Sequence, residues 1–168
     1  ALYYYARRFY ADILPVVRYE PSDNAVSVTV VNDQYEDTVV NVLLEIWDSS
    51  GTKVWERQYG EVRILGDSVS TIDIVSTDEI ATGPLSDMVM HVSVVCDGKC
   101  YDNYALFGEF RDMHLMDPEV SYVREGDSLV FRCTRPAFGV HIATEEECLL
   151  SDGFFALVPS VVRRVQCP

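Results

Sequence analysis

The feature that most constrains this chain is a change of hydrophobic period at Pro15. Before it, Leu2, Tyr5, Ala6, Phe9 and Ile13 recur at helical spacing and form one apolar stripe, with Arg7 and Arg8 on the other side. Residues 1–14 therefore read as the end of a helix. Proline removes a backbone donor and biases its predecessor toward extended geometry, so Pro15 is expected to stop that helix. Beyond it the period is two. Val26, Val28 and Val30 alternate with Ser27 and Thr29, and Val40, Val42, Leu44 and Ile46 alternate with Val39, Asn41, Leu43, Glu45 and Trp47.

Asp48-Ser49-Ser50-Gly51 has turn chemistry, and residues 53–61 return as a strand. Further strands are expected around Ser70, Ile72 and Ile74, over 88–94, and over 101–110 after a turn at Asp97-Gly98-Lys99. Ser76-Thr77-Asp78-Glu79 has capping-box form and predicts a helical turn over 78–81. About seven short strands with turn signals between them are the pattern of a β-sandwich. Residues 111–118, ending at Asp117-Pro118, break the pattern and read as a linker. A smaller strand set follows at 120–124, 128–133, 140–143, 154–157 and 161–165. The layout is all-β: a helix end at 1–14, a sandwich at 15–110, a linker at 111–118 and a small second β-domain at 119–168.

The hairpin closed by residues 48–51 sets the orientation of both tryptophans. If Trp47 faces Thr52, then Trp55 faces Leu44 and Tyr59 faces Val40. Opposed residues share a face, so Trp55 joins the Val40/Val42/Leu44/Ile46 core and Trp47 lands on the other face with Glu45 and Asn41. Trp55 is expected inside and Trp47 more exposed.

Composition excludes several function classes. The formal net charge is −14, with 27 acidic against 13 basic residues, which repels nucleic-acid phosphates and anionic membrane surfaces. No apolar run reaches the roughly 18 residues a membrane helix needs. The first residues lack a signal-peptide layout, and the chain reads as an excised piece. Five cysteines are too few for a disulfide scaffold at this length, and the pattern leaves the redox compartment open. Cys96 and Cys100 flank a hairpin tip and are expected to be free thiols, because cross-strand geometry is slightly wide for a disulfide.

Candidate chemistry is sparse. A glycosidase needs two carboxyls set roughly 5–9 Å apart across a sugar cleft, and no pair stands out among so many acids. Glu145-Glu146-Glu147 reads as a solvated loop. His91, His114 and His141 stand alone, Cys96-x-x-x-Cys100 lacks a second ligand pair for zinc, and no phosphate loop or nucleophile motif is present. No catalytic residue, metal ligand or cofactor is assigned. Exposed aromatics raise a carbohydrate-binding module, because sugar C–H faces stack on aromatic rings, and Trp47 is the candidate platform.

Three segments carry a family likeness. The run from Ala1 to Leu14 (ALYYYARRFYADIL) resembles the point in family 2 glycoside hydrolases of the β-mannosidase type where the last helix of the catalytic barrel gives way to the C-terminal domains. The stretch from Glu45 to Glu56 (EIWDSSGTKVWE) is similar to a hairpin of the next domain, and Leu150 to Pro159 (LSDGFFALVP) is similar to the family's final β-domain motif, where Gly153 replaces a more usual Asn. Both residues tolerate positive φ, so that turn is expected to survive.

The resemblance implies two immunoglobulin-like sandwich domains in tandem. It also implies a role buttressing the barrel of a larger retaining enzyme that cleaves terminal β-mannosides without a cofactor. The barrel of its own parent chain would be the partner, with carbohydrate as a second one. The family's catalytic glutamates lie in the barrel, and no motif here matches them. The parent would be soluble, in the cytoplasm or in a periplasmic or lysosomal-type compartment. Other family 2 enzymes share the same plan.

Overall fold

In a computed structural model, residues 2–144 and 150–167 are described. The acidic run 145–147 and Cys148 lie outside them. A helix, α1 (Leu2–Phe9), leads into twelve strands: β1 (Ile13–Glu20), β2 (Ala25–Asn32), β3 (Thr38–Asp48), β4 (Lys53–Ile64), β5 (Ser68–Ser76), β6 (Met88–Cys96), β7 (Lys99–Leu106), β8 (Ser121–Glu125), β9 (Ser128–Arg132), β10 (Ala137–His141), β11 (Phe154–Leu157) and β12 (Arg163–Gln166). One further helical turn, α2 (Thr77–Ile80), sits between β5 and β6. Ser76 caps it by accepting a hydrogen bond from the Asp78 amide, as the capping pattern predicts.

The first seven strands make an immunoglobulin-like sandwich. A three-stranded sheet, β1-β2-β5, faces a four-stranded one, β4-β3-β6-β7, and all pairs are antiparallel. The alternation read in the sequence fills the space between them: Val26, Val28 and Val30 of β2 meet Val40, Val42, Leu44 and Ile46 of β3 and Met90, Val92 and Val94 of β6. Each such buried side chain contributes on the order of 1.5–3 kcal/mol. Arg57 of β4 ties the sheets at one edge by an ion pair to Asp73 of β5 at 2.8 Å, and Tyr59 donates to the same carboxylate. A smaller unit follows, built from a β12-β9-β8 sheet and a β10-β11 hairpin pair around Phe131, Ala137, Phe155, Leu157 and Val165.

The helix is shorter than its sequence pattern suggests. It ends at Phe9, Ile13 already lies in β1, and Pro15 sits buried within that strand, paired with Val30. β1 is an edge strand of its sheet, where a missing N–H removes no ladder bond. Proline therefore did not stop the helix; tertiary pairing with β2 claimed residues 13–14 first. The helix also docks the other way round. Its Arg7/Arg8 side faces the second unit, with Arg8 donating to Asp152 Oδ2 and to the Phe154 carbonyl, both at 2.6 Å, and Arg7 to the Ser151 carbonyl at 2.9 Å. Leu2, Tyr3, Phe9 and Tyr10 are left exposed.

Gly153 has a different reason from the one expected. Its φ is not positive; a Cβ there would stand 2.8–2.9 Å from the ring of Tyr4, so the missing side chain makes room for the helix.

Candidate functional site

The hairpin between β3 and β4 turns as the sequence indicates. Asp48 Oδ1 accepts from the Ser50 and Thr52 amides, each at 2.9 Å, and Gly51 takes φ +89°. The register differs from expectation by a bulge after Ile46: Trp47 pairs with Lys53, Trp55 with Ile46 and Tyr59 with Val42. The slip is even, so the face assignments survive. Trp55 packs against the core, and Trp47 shares the opposite face with Glu45. The expected exposure of Trp47 does not survive, because that face is not a surface. Trp47 is 7% exposed, and Val89 and His91 beside it on β6 are buried as well. A sugar ring cannot lie flat on an indole so covered. The cover is the second unit, and a sequence pattern of period two cannot tell a solvated outer face from one buried by another domain.

The contact between the two units is polar, and it leaves Trp47 Nε1, His91 Nε2 and Arg163 Nε buried without a hydrogen-bond partner among the described residues. Glu45, 1% exposed, projects from the middle of β3. Its Oε2 accepts from Ser160 Oγ at 2.7 Å and from His91 Nδ1 at 3.0 Å, and its Oε1 lies 3.3 Å from Lys53 Nζ. Burial pushes its carboxyl up, but those donors outweigh it and bring the pKa down to about 2. The tautomer that donates from His91 Nδ1 leaves Nε2 as an acceptor, buried without a partner, and the residue lines a cleft shared with Glu45, Ser93, Cys100, Asp102, Ser160 and Arg163. The His91 ring stacks on Tyr104 at 4.9 Å.

A second tie lies beside the first. Arg163 of β12 donates to Asp102 Oδ2 of β7 at 2.6 Å, and Tyr104 OH donates to the Ala156 carbonyl at 3.3 Å. Burial pulls the Arg163 guanidinium down, but Asp102, by its charge and its hydrogen bond, more than offsets this and holds it above its ordinary value. Burial, then Asp102, push the Tyr104 phenol well up, so it stays a donor. At the hairpin tip the backbones touch: a Cβ on Gly51 would fall 2.0 Å from the Thr134 carbonyl oxygen.

The buried carboxylates thus act as ties. Glu45 and Asp102 bind the units together and Asp73 binds the two sheets; Glu45 and Asp102 line one cleft, but each is held by a fixed cation or donor there, Glu45 by Ser160, His91 and Lys53 and Asp102 by Arg163. His114 is exposed beside Asp87, and His141 lies against Phe154. Among the described residues no three metal-binding side chains converge. Cys96 points into the core and contacts Thr38, whereas Cys100, paired with Val95, is exposed on the opposite face near Ser93, so the two sulfurs cannot bridge. The sequence marked Trp47 and passed over Glu45 and His91. A polar pair in the centre of apolar strands (Glu45 between Leu44 and Ile46, His91 between Met90 and Val92) was the signal that could have found them.

Residues 24–112, more than half of the chain, match the family described as the mannosidase Ig/CBM-like domain. The chain belongs to that family. No curated protein matches it. Among solved structures, it is similar to the β-D-mannosidase of Dictyoglomus thermophilum, at 21% identity and a TM-score of 0.79 over 99% of this chain and 21% of that one. It is also similar to the exo-chitosanase CsxA of Amycolatopsis orientalis, at 14% identity and a TM-score of 0.67 over 98% of this chain and 24% of that one. The chain thus spans about a fifth to a quarter of these relatives. In both, the fold extends beyond the matched family segment through the helix and the second unit. No helix among the described residues is long and apolar enough to cross a membrane.

Proposed function

We propose that the chain is the non-catalytic C-terminal region of a glycoside hydrolase whose barrel cleaves terminal β-mannosides with retention, and that it buttresses that barrel. In this reading residues 1–14 carry the end of the barrel's last helix, 15–110 form the first immunoglobulin-like domain, 111–118 the linker and 119–168 the second domain. The observation that supports it is the Glu45–His91–Ser160 contact. It fuses the two units over a face that would have to be open in a sugar-binding sandwich, and it spends the most buried carboxylate on structure. The two enzymes of like fold carry this architecture as a minor part of chains that act on β-mannosides or chitosan, by their names.

The experiment is to express the longer protein containing this segment and assay it on aryl β-mannoside and aryl β-glucosaminide, following the anomer released. Retaining β-mannoside cleavage, lost when a glutamate outside this segment is changed to Gln and kept when Glu45 is changed to Gln, is the expected result. A longer protein without glycosidase activity would overturn the reading.

A further inference from the structure

We propose that the outer face of the β1-β2-β5 sheet, together with the open side of α1, docks against the catalytic portion of the same polypeptide. This deepens the reading above and rests on it. The strand register defines the face. Leu14, Val31 and Val69 stand side by side in one row, and Val16, Thr29 and Thr71 in the next. The third row brings Ile74 and, at its border, Arg18, whose guanidinium is already paired with Glu20 at 3.0 Å. Val69 and Ile74 are each 66% exposed. In a chain with charge −14, where 24% of residues are charged, two full rows of a solvent-facing sheet carry no charge at all. Surfaces meant for water are ordinarily charged and mixed, and contiguous apolar patches mark contact sites.

The patch does not stop at the sheet. Leu14 lines a cavity of about 240 Å³ with Tyr5 and Phe9 of α1; the charged members of that cavity, Arg8, Asp102 and Arg163, are paired within this chain, and beyond it on the helix Leu2 is 83% exposed. The two outer sheet faces of the sandwich therefore differ in kind. One carries Glu45, His91 and Asp102 and is already covered by the second unit; the other has two rows without charge and leaves Val69 and Ile74 open. Two solved chains of this fold hold more than three times as much polypeptide outside it, since it makes up 21% and 24% of them, and that remainder is the occupant at hand. A neutral face can meet it without burying an unpaired charge. The partner surface is accordingly apolar and uncharged, and it is attached covalently, which raises its effective concentration.

Hydroxyl-radical footprinting of the longer protein against the 168-residue chain tests this, with exposed Tyr122 of β8 as the internal control. Oxidation of Val69, Ile74, Phe9 and Leu2 is expected to slow roughly fivefold or more in the longer protein while Tyr122 is unchanged. The double change Val69→Lys, Ile74→Lys is expected to lower the thermal midpoint of the longer protein and leave that of the 168-residue chain where it was. Equal oxidation in both, in a longer protein that does hydrolyse β-mannosides, overturns the proposal and leaves the functional reading standing. Protection that appears only as concentration rises would mean a second copy covers the face, which also overturns it. Loss of the functional reading itself would show separately, as absence of glycosidase activity.

Discussion

Replacing Glu45 with Ala should be strongly destabilising, because three groups lose an acceptor at once. His91, 3% exposed, keeps no partner on either ring nitrogen, and Ser160 loses its bond across the unit contact. Lys53 still holds Glu56, so its loss is small. Breaking a buried pair from one side costs about 3–5 kcal/mol. The carboxyl gives an independent figure: its pKa falls from 4.5 to about 2, and at about 1.4 kcal/mol per unit this amounts to roughly 3 kcal/mol at most. The assay is urea unfolding followed by tryptophan fluorescence, which Trp47 on the same face reports. With a slope of about 1–3 kcal/mol/M, a loss of about 3 kcal/mol should lower the midpoint by roughly 1–3 M. The sign of the pH dependence is fixed as well. Glu45 has a depressed pKa when folded, so its contribution is complete above about 4.5 and is lost as pH falls toward 2. Glu45→Gln should remove that acid limb. A Glu45→Ala midpoint equivalent to less than about 1 kcal/mol would refute the claim that this carboxylate ties the units.

Gly51→Ala should destabilise by at least about 2 kcal/mol in the same assay, since φ +89° and a contact at 2.0 Å from the Thr134 carbonyl act together; a neutral result would mean the hairpin tip and the second unit are not packed as described. Arg8→Ala removes the ties to Asp152 and Phe154 and should speed amide exchange along residues 2–9 while leaving β2 and β3 unchanged. Trp47→Ala should cost about 3–5 kcal/mol in stability, and calorimetric titration with manno-oligosaccharides should show no binding that this change removes. Mass spectrometry of thiol-blocked peptides should find Cys96 and Cys100 unbridged, and a Cys96–Cys100 disulfide would contradict the register of β6 and β7.

Period-two alternation made the first sandwich legible, because each of Val26, Val28, Val30 and Val40 to Ile46 has only one way to face a core. Turn chemistry located the hairpins at Asp48–Gly51 and Asp97–Gly98, where Gly51, Asp97 and Gly98 do adopt positive φ. Three features were not legible, for one shared reason: each is decided by a neighbour distant in sequence. Helix periodicity through Ile13 gave way to pairing with Asn32 on β2. Trp47 is buried by a unit that begins some seventy residues later, and Gly153 is shaped by Tyr4 at the other end of the chain. The candidate site shares that property, since Glu45, His91 and Ser160 come from three separate regions and are joined only when the second unit docks.

If the buried carboxylates only hold the structure together, the 168-residue chain performs no glycoside hydrolysis of its own. The most direct measurement is the turnover of aryl β-mannoside, with other aryl glycosides alongside, by the repurified 168-residue chain. No turnover above the buffer rate is expected. Turnover that survives repurification and vanishes when Glu45, Asp73 or Asp102 is changed to its amide, in a variant that still folds, would contradict it.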